Sequence, residues 1–366
     1  MDWLLTPLSF VWPFLLVLTP LVFFHELGHY WVARWCGVKI DVFSIGFGPE
    51  IFGWNDGAGT RWKLCWVPLG GYVKMHGDED VSSRPVAKSS PKVDTGTIQG
   101  KTPLQRIAIS LAGPFANYVL AVICFFVVFM VRGLETYDSL ILEPVPDSPA
   151  AKAGLRLEDK ILSINGRSTR DFGDVVSAIQ ALKGEDLTVT VMREGVSRSF
   201  EIGREAIAGY GNRLGVGPAR SHFEHVGALQ AFGAAFDRVV FISVHMLSHL
   251  WGGVTQKISS KEMGSVLMVA KMASDVWRAG AISLLLFLAV LSVNLCLINL
   301  LPIPMLDGGH IPFYLYEMVT GKPLPEWVIE WLYRFGLAII IGLFLLATWN
   351  DAQRLGIVAF VKGLFS

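Results

Sequence analysis

Long apolar runs set the plan of this chain, and the few polar positions inside them carry its chemistry. No charged residue occurs from Trp3 to Phe24. A helix needs about 20 apolar residues to cross the roughly 30 Å hydrocarbon core of a bilayer. Four segments are long and apolar enough, so transmembrane helices are expected in 1–36, 103–133, 281–310 and 328–352. A fifth apolar stretch, 228–252, is interrupted by Asp237, Arg238, His245 and His249. With its flanks (224–279) it reads as amphipathic helices on the membrane surface.

Elsewhere the pattern switches from helical to strand-like. Residues 37–78 hold apolar, β-rich runs, Val42 to Pro49 and Trp62 to Met75, with Asn55-Asp56-Gly57 as a turn signal between them. They predict re-entrant β-hairpins, which are tolerated at membrane depth only when packed on protein or lining a wet cavity. A sheet edge there can hold an extended substrate; the alternative is a hairpin used only for packing. Residues 79–102 are polar and predict a linker, and 353–366 a C-terminal tail. Residues 139–204 read as one α/β module. It starts with strand-like Leu140 to Val145 and a helical turn stopped by Gly154. Strands follow at Asp159 to Ile164, Leu187 to Val191 and Ser199 to Ile202, with a helix at Asp174 to Leu182. The expected fold class is a polytopic α-helical membrane protein with four transmembrane helices. A membrane-associated cytoplasmic β-hairpin region and one extracytoplasmic α/β domain complete it.

Composition agrees. Of 366 residues 52% are hydrophobic and 17% charged, with mean hydropathy +0.48. Soluble domains carry about 25% charged residues. A net charge of zero leaves no electrostatic footprint for a nucleic acid. The four cysteines lack metal-type spacing and predict free thiols. The N-terminal segment lacks a basic n-region and a small-residue cleavage site, so it is expected to be a retained span. Nine Lys and Arg lie from Arg34 to Lys101 and none in 1–33. The positive-inside rule therefore puts that loop in the cytoplasm, the N-terminus outside, and 133–280 outside after the second span.

The chemistry sits at His25-Glu26-Leu27-Gly28-His29. Positions i and i+4 share a helix face, so both histidines can reach one metal ion, and Glu26 beside them can act as base toward an attacking water. Ionisable groups in such an apolar setting are functional by default. After the third span comes Asn299-Leu300-Leu301-Pro302-Ile303-Pro304-Met305-Leu306-Asp307-Gly308-Gly309-His310, where two prolines break the helix. Two histidines, one carboxylate and an open fourth position make a catalytic zinc site, with Asp307 the carboxylate. His310 is the rival third ligand, a residue that orients one, or an exposed polar residue near the membrane face. Asn299 can donate an amide hydrogen bond to a developing oxyanion, or serve helix packing. The His25–His29 pair lies toward the inner end of the first span, so the third span must run in the same direction. An extra crossing at 228–252 would put the two at opposite faces. His245 and His249 are also at i, i+4 but have no adjacent Glu, and read as a polar stripe.

The runs SPAAKAGL and DKILSING make 139–204 similar to a PDZ domain of the bacterial protease type. Together with HELGH, LAGPFAN at 111–117 and NLLPIPMLDGG, the chain resembles the site-2 protease family, of the bacterial regulator-of-sigma-E protease type. The resemblance implies an intramembrane zinc metalloprotease. It would sit in the bacterial inner membrane with its N-terminus and PDZ domain periplasmic and its active site toward the cytoplasm. Its substrates would be single-span membrane proteins, such as anti-sigma factors or remnant signal peptides, already cut outside by a site-1 protease. Peptide termini would bind the PDZ domain, or the domain would only block access sterically, and the lipid bilayer is a further partner. By the resemblance His25, His29 and Asp307 are zinc ligands, Glu26 is the base and Asn299 assists. Gly46, Phe47, Gly48 and Asn294 are expected at the substrate. The chain departs from the family in having room for one PDZ domain where a relative has two, and Gly264-Ser265 where many have Gly-Pro. Two competing classes are a zinc-dependent transporter and a catalytically inactive PDZ adaptor. The third span offers a transporter only Ser283, Ser292, Asn294 and Asn299. An adaptor would be expected to have lost a ligand or the base.

Overall fold

The computed structural model describes residues 2–77, 96–180, 186–211, 213–255 and 266–354. Most of the expected linker, the end of the expected tail and Gly264-Ser265 fall outside these. The chain forms two compact units, Met1–Val128 with Phe232–Ser366, and Phe129–Ala231.

In the first unit, helix α1 (Asp2–Trp35) carries HELGH in its last third. Strands β1 (Ile40–Asn55) and β2 (Arg61–Met75) follow, then α2 (Pro103–Arg132). The two strands are long and bent, and each pairs twice. Ser44 faces Tyr72 on one side and Lys63 on the other, while Phe52 to Asn55 pair back onto Leu64 to Arg61. The bends occur where Gly46 and Gly48 take φ of 85° and 88° and Gly70 takes 126°, a region glycine enters without steric cost. The single hairpin thus replaces the several that were expected. Its turn is tied to α1: the Asp56 carboxylate accepts from Tyr30 Oη at 2.8 Å, from Trp62 Nε1 at 3.1 Å and from the Ala58 and Thr60 N–H groups at 2.9 Å. Burial pushes the Asp56 carboxyl up, but these bonds outweigh it and hold it down to about 2. Behind this lies a core of Leu27, Tyr30, Phe43, Met75 and Ile109, joining α1, β1, β2 and α2. Ile98 packs on it, so the end of the expected linker is docked on the unit.

Helices complete the unit: α6 (Ala228–Thr255), α7 (Val266–Arg278), α8 (Ala281–Asn299), α9 (Asp307–Thr320) and α10 (Glu326–Arg354). Among the described residues five helices are long and apolar enough to cross a membrane, one more than the four expected. The addition is Ala228–Ser248 of α6. Asp237 and Arg238 are its only Asp, Glu, Lys or Arg residues, too few to break an otherwise apolar run. α7 packs against α1, α8 and α10.

The second unit extends beyond the expected 139–204. Strands β3 (Leu134–Tyr137) and β8 (Ser221–Glu224) pair antiparallel, Leu134 with Glu224, bringing its two ends together. Between them lie α3 (Pro149–Ala153), β4 (Lys160–Ile164), β5 (Arg167–Ser168), α4 (Phe172–Gln180), β6 (Leu187–Arg193), β7 (Val196–Ile202) and α5 (Arg204–Gly209). The sheet order is β5-β4-β6-β7. The Asn165-Gly166 and Glu194-Gly195 turns have positive φ at both residues, as a two-residue hairpin turn of the favoured hand requires. Ser148 caps α3 and Gly154 ends it at φ 88°. Leu140 to Val145 is not the strand that was expected. It bonds to Asp159 at one point and to Gly215 and Gly217 at others, and Pro144 offers no N–H to a ladder. The fully buried Asp159 is balanced by Arg193, with two bonds of 2.6 Å.

Candidate metal centre

His25 and His29 lie on one face of α1, one turn apart, and Asp307 opens α9. α8 ends at Asn299, as the Pro-x-Pro sequence dictates, and the chain turns back at once. Gly308 and Gly309 allow this turn: a Cβ would lie 2.4 Å from the Leu300 carbonyl oxygen at the first and 2.2 Å from that of Ile303 at the second. Met305 has φ 85°, a strained value for a side-chain-bearing residue and a common mark of functional turns.

The turn delivers Asp307 to the histidines. His25 Nε2 is 3.1 Å from Asp307 Oδ2, His29 Nε2 is 3.4 Å from Asp307 Oδ1, and the two Nε2 atoms are 3.3 Å apart. A tetrahedron with metal–ligand bonds of 2.0–2.1 Å has edges of about 3.3 Å. The three donors therefore stand at the spacing a zinc ion needs. Asp307 Oδ2 is buried and accepts no hydrogen bond, which fits a carboxylate oxygen reserved for a cation. Among the described residues His25, His29 and Asp307 are the one group of this kind able to hold a metal.

α2 supplies the wall behind the donors. The Ile109 carbonyl is 2.8 Å from His29 Nδ1, and the Asn117 side chain is 3.2 Å from His25 Nδ1. Close approach of the helices requires glycine at two points. A Cβ at Gly28 would lie 2.2 Å from the Ala112 carbonyl oxygen, and one at Gly113 would lie 2.2 Å from His29 Nε2. Pro114 has no N–H to give to the Ser110 carbonyl, and Ser110 lines the cavity.

That cavity, of about 250 Å³, is lined by His25, Glu26, His29, Gly71, Tyr72, Val73, Asp307 and His310 among others. Glu26 meets β2 directly: a backbone hydrogen bond from Val73 reaches its carboxylate. A Cβ at Gly71 would lie 3.3 Å from Glu26 Cγ and 2.9 Å from Val22 Cγ1, so glycine lets the strand lie flat on α1 at this residue. His310 is buried, its ring 6.1 Å from that of Tyr314 and parallel to it, with Tyr333 Oη 3.3 Å from Nδ1. Gly46, Phe47 and Gly48 lie at the bend of β1, outside the cavity lining. Phe47 stacks on Tyr72 at 6.1 Å and so supports the strand that does line it. Asn294 and Asn299 lie in α8, also outside the lining. Sequence reasoning gave no separate role to Ile109, Gly113 or Asn117. The LAGPFAN run contains the last two, and a proline, a glycine and a buried amide together in an apolar span were the available signal.

A profile of the family described as "Peptidase family M50" matches residues 13–343. Three relatives, each named "putative zinc metalloprotease", align over nearly their full lengths. One from Rhizobium meliloti is 38% identical over 97% of this chain and 100% of its own. One from Agrobacterium fabrum is 36% identical over 95% and 96%, and one from Mesorhizobium japonicum 36% over 93% and 97%. With two histidines and a carboxylate at metal spacing and a glutamate beside them, the chain belongs to peptidase family M50.

Proposed function

We propose that the chain is an intramembrane endopeptidase of the site-2 type. It hydrolyses peptide bonds within the transmembrane segments of single-span proteins, such as anti-sigma factors or remnant signal peptides, after a first cut outside the membrane by a site-1 protease. As a member of its family it is a metalloprotease and its metal is zinc. It is a multi-pass membrane protein that works on membrane-embedded substrates. The observation that carries the proposal is the set of three donors 3.1–3.4 Å apart, with Glu26 in the same cavity, among helices apolar enough to span a bilayer.

In this reading His25, His29 and Asp307 hold the ion. Bound there, zinc supplies Lewis acidity to the scissile carbonyl and lowers the pKa of water. Glu26 takes the proton of the attacking water and later gives it to the leaving amine. A helical substrate hides its carbonyls in i→i−4 bonds and must unwind first. The Gly71-Tyr72-Val73 segment of β2, beside Glu26, is the edge proposed to hold the unwound backbone. Phe47, between Gly46 and Gly48, supports that edge, while Asn294 and Asn299 are proposed to assist from α8. The second unit is proposed to be a PDZ domain taking peptide termini. This reading is supported by a groove of about 490 Å³ beside α4, apolar at Val176, Ile179, Leu214 and Val216 and with Arg213 in its lining. Titration with peptides of differing C-termini tests it.

The purified chain should cut a model single-span substrate with a short outer stub inside its span. A chelator should abolish the cut and one equivalent of zinc restore it. Cleavage that survives exhaustive removal of metal, or a cut outside the span, overturns the proposal. In the bacterial inner membrane the N-terminus and second unit are proposed to be periplasmic and the hairpin cytoplasmic, with α6 not crossing. Gly57→Cys should then be labelled from the cytoplasm and Arg167→Cys from the periplasm. Labelling of both from one side sinks this topology.

A further inference from the structure

One buried amide beside the metal centre is left unused by the chemistry above. Asn117 is fully buried in α2. Its Nδ2 lies 3.2 Å from His25 Nδ1, and its Oδ1 is buried with no hydrogen-bond partner. Its main-chain carbonyl accepts a hydrogen bond of 2.8 Å from Ser292 Oγ of α8. A buried acceptor left unpaired is costly, and natural folds keep few of them.

The two nitrogens of His25 have different surroundings. Nε2 faces Asp307 and His29 Nε2, at 3.1 and 3.3 Å. A ring nitrogen that gives its lone pair to a metal carries no proton, so the neutral ring bears its proton on Nδ1 and must donate from there. With Nδ2 against it, two donors face each other. The oxygen and nitrogen of an amide exchange places by a half-turn of the group, and their assignment follows the hydrogen-bond network. After that half-turn Oδ1 accepts from His25 Nδ1–H and the donor–donor contact is removed, the NH2 group taking the position the oxygen held. His29 has the matching arrangement, its Nδ1 standing 2.8 Å from the Ile109 carbonyl oxygen.

We propose that Asn117 is a positioning residue of the metal centre, its amide oxygen accepting the Nδ1 proton of His25 and so presenting a bare Nε2 to the metal. The Ser292 bond holds the α2 backbone at that point. α2 then sets the ring orientation of both histidines, one through a side chain and one through a main-chain carbonyl. This inference rests on the zinc reading above, and its test reads metal binding, not cleavage.

The test uses the full chain carrying Glu26→Gln, which prevents self-cleavage, with Asn117→Asp and Asn117→Leu compared by zinc competition against a chelator. Cobalt-loaded samples report the ligand field by visible absorption. Losing an outer-shell partner of this kind costs roughly 10–100-fold in metal affinity, so Asn117→Leu should weaken zinc by that factor and shift the cobalt bands. Asn117→Asp keeps an acceptor of the same size and should stay within about threefold of the parent or bind more tightly. Unchanged affinity in Asn117→Leu overturns the proposal. So does a loss in Asn117→Asp of more than about tenfold, which would assign the contact to the amide N–H and stands whether or not Asn117→Leu folds. His25→Ala separates the two levels of the argument. If it loses zinc while both Asn117 variants keep it, only this inference fails; if the parent binds no zinc, the zinc reading fails with it.

Discussion

Glu26→Gln is expected to bind zinc as the intact chain does and to lose cleavage by about a hundredfold or more, the usual contribution of a positioned general base. The substitution keeps the size of the side chain and removes only its ability to take a proton. Glu26 stands apart from the three donor residues but shares their cavity, pressed against Gly71 and bonded by the Val73 backbone. A glutamine can still accept that backbone bond through its amide oxygen, so the strand should stay in place and folding should be unaffected. Zinc content by elemental analysis and cleavage of a single-span substrate, measured on one preparation, decide the matter. Near-normal cleavage would remove Glu26 from the proposed role. Loss of zinc would make it a ligand.

The parts of this centre that were legible in the sequence are those fixed by local rules. His25 and His29 follow from helical spacing. The end of α8 at Asn299 and the turn before Asp307 follow from Pro302 and Pro304, which cannot continue a helix. What could not be read depends on contacts distant in the chain. The Ile109 carbonyl that meets His29 belongs to the backbone and leaves no trace in residue identity. Gly113 is an unremarkable glycine until the two helices cross and a methyl group there would strike both histidines. Gly46, Gly48 and Gly70 mark bends in β1 and β2, but which edge each half-strand meets is a matter of register. α6 was set apart by Asp237, Arg238, His245 and His249 and by the parity of the crossings, and neither bears on whether a helix is long and apolar enough to span.

Asp307→Ala and Gly113→Ala are both expected to lose zinc, whereas His310→Ala should keep most of it. The three substitutions probe one centre in different ways. Asp307 supplies an oxygen 3.1 Å from His25 Nε2 and another 3.4 Å from His29 Nε2, and truncating it removes one of the three donors outright. Gly113 donates nothing. Its substitution places a methyl group 2.2 Å from His29 Nε2, 2.7 Å from His29 Cε1 and 2.8 Å from His25 Cε1. No packing tolerates such distances, so either the rings rotate away or α1 and α2 separate, and both disrupt the donor spacing. His310 lines the same cavity but stands outside the donor group, packed against Tyr314 and Tyr333. Its loss should lower stability while leaving three donors in position. Metal content, with helical circular dichroism as the check on folding, reads all three. If His310→Ala is the metal-free protein and Asp307→Ala retains its ion, the third ligand is His310 and the centre must be rebuilt around it. If Gly113→Ala keeps zinc at full occupancy, the tight crossing of α1 and α2 does not govern the geometry of the site.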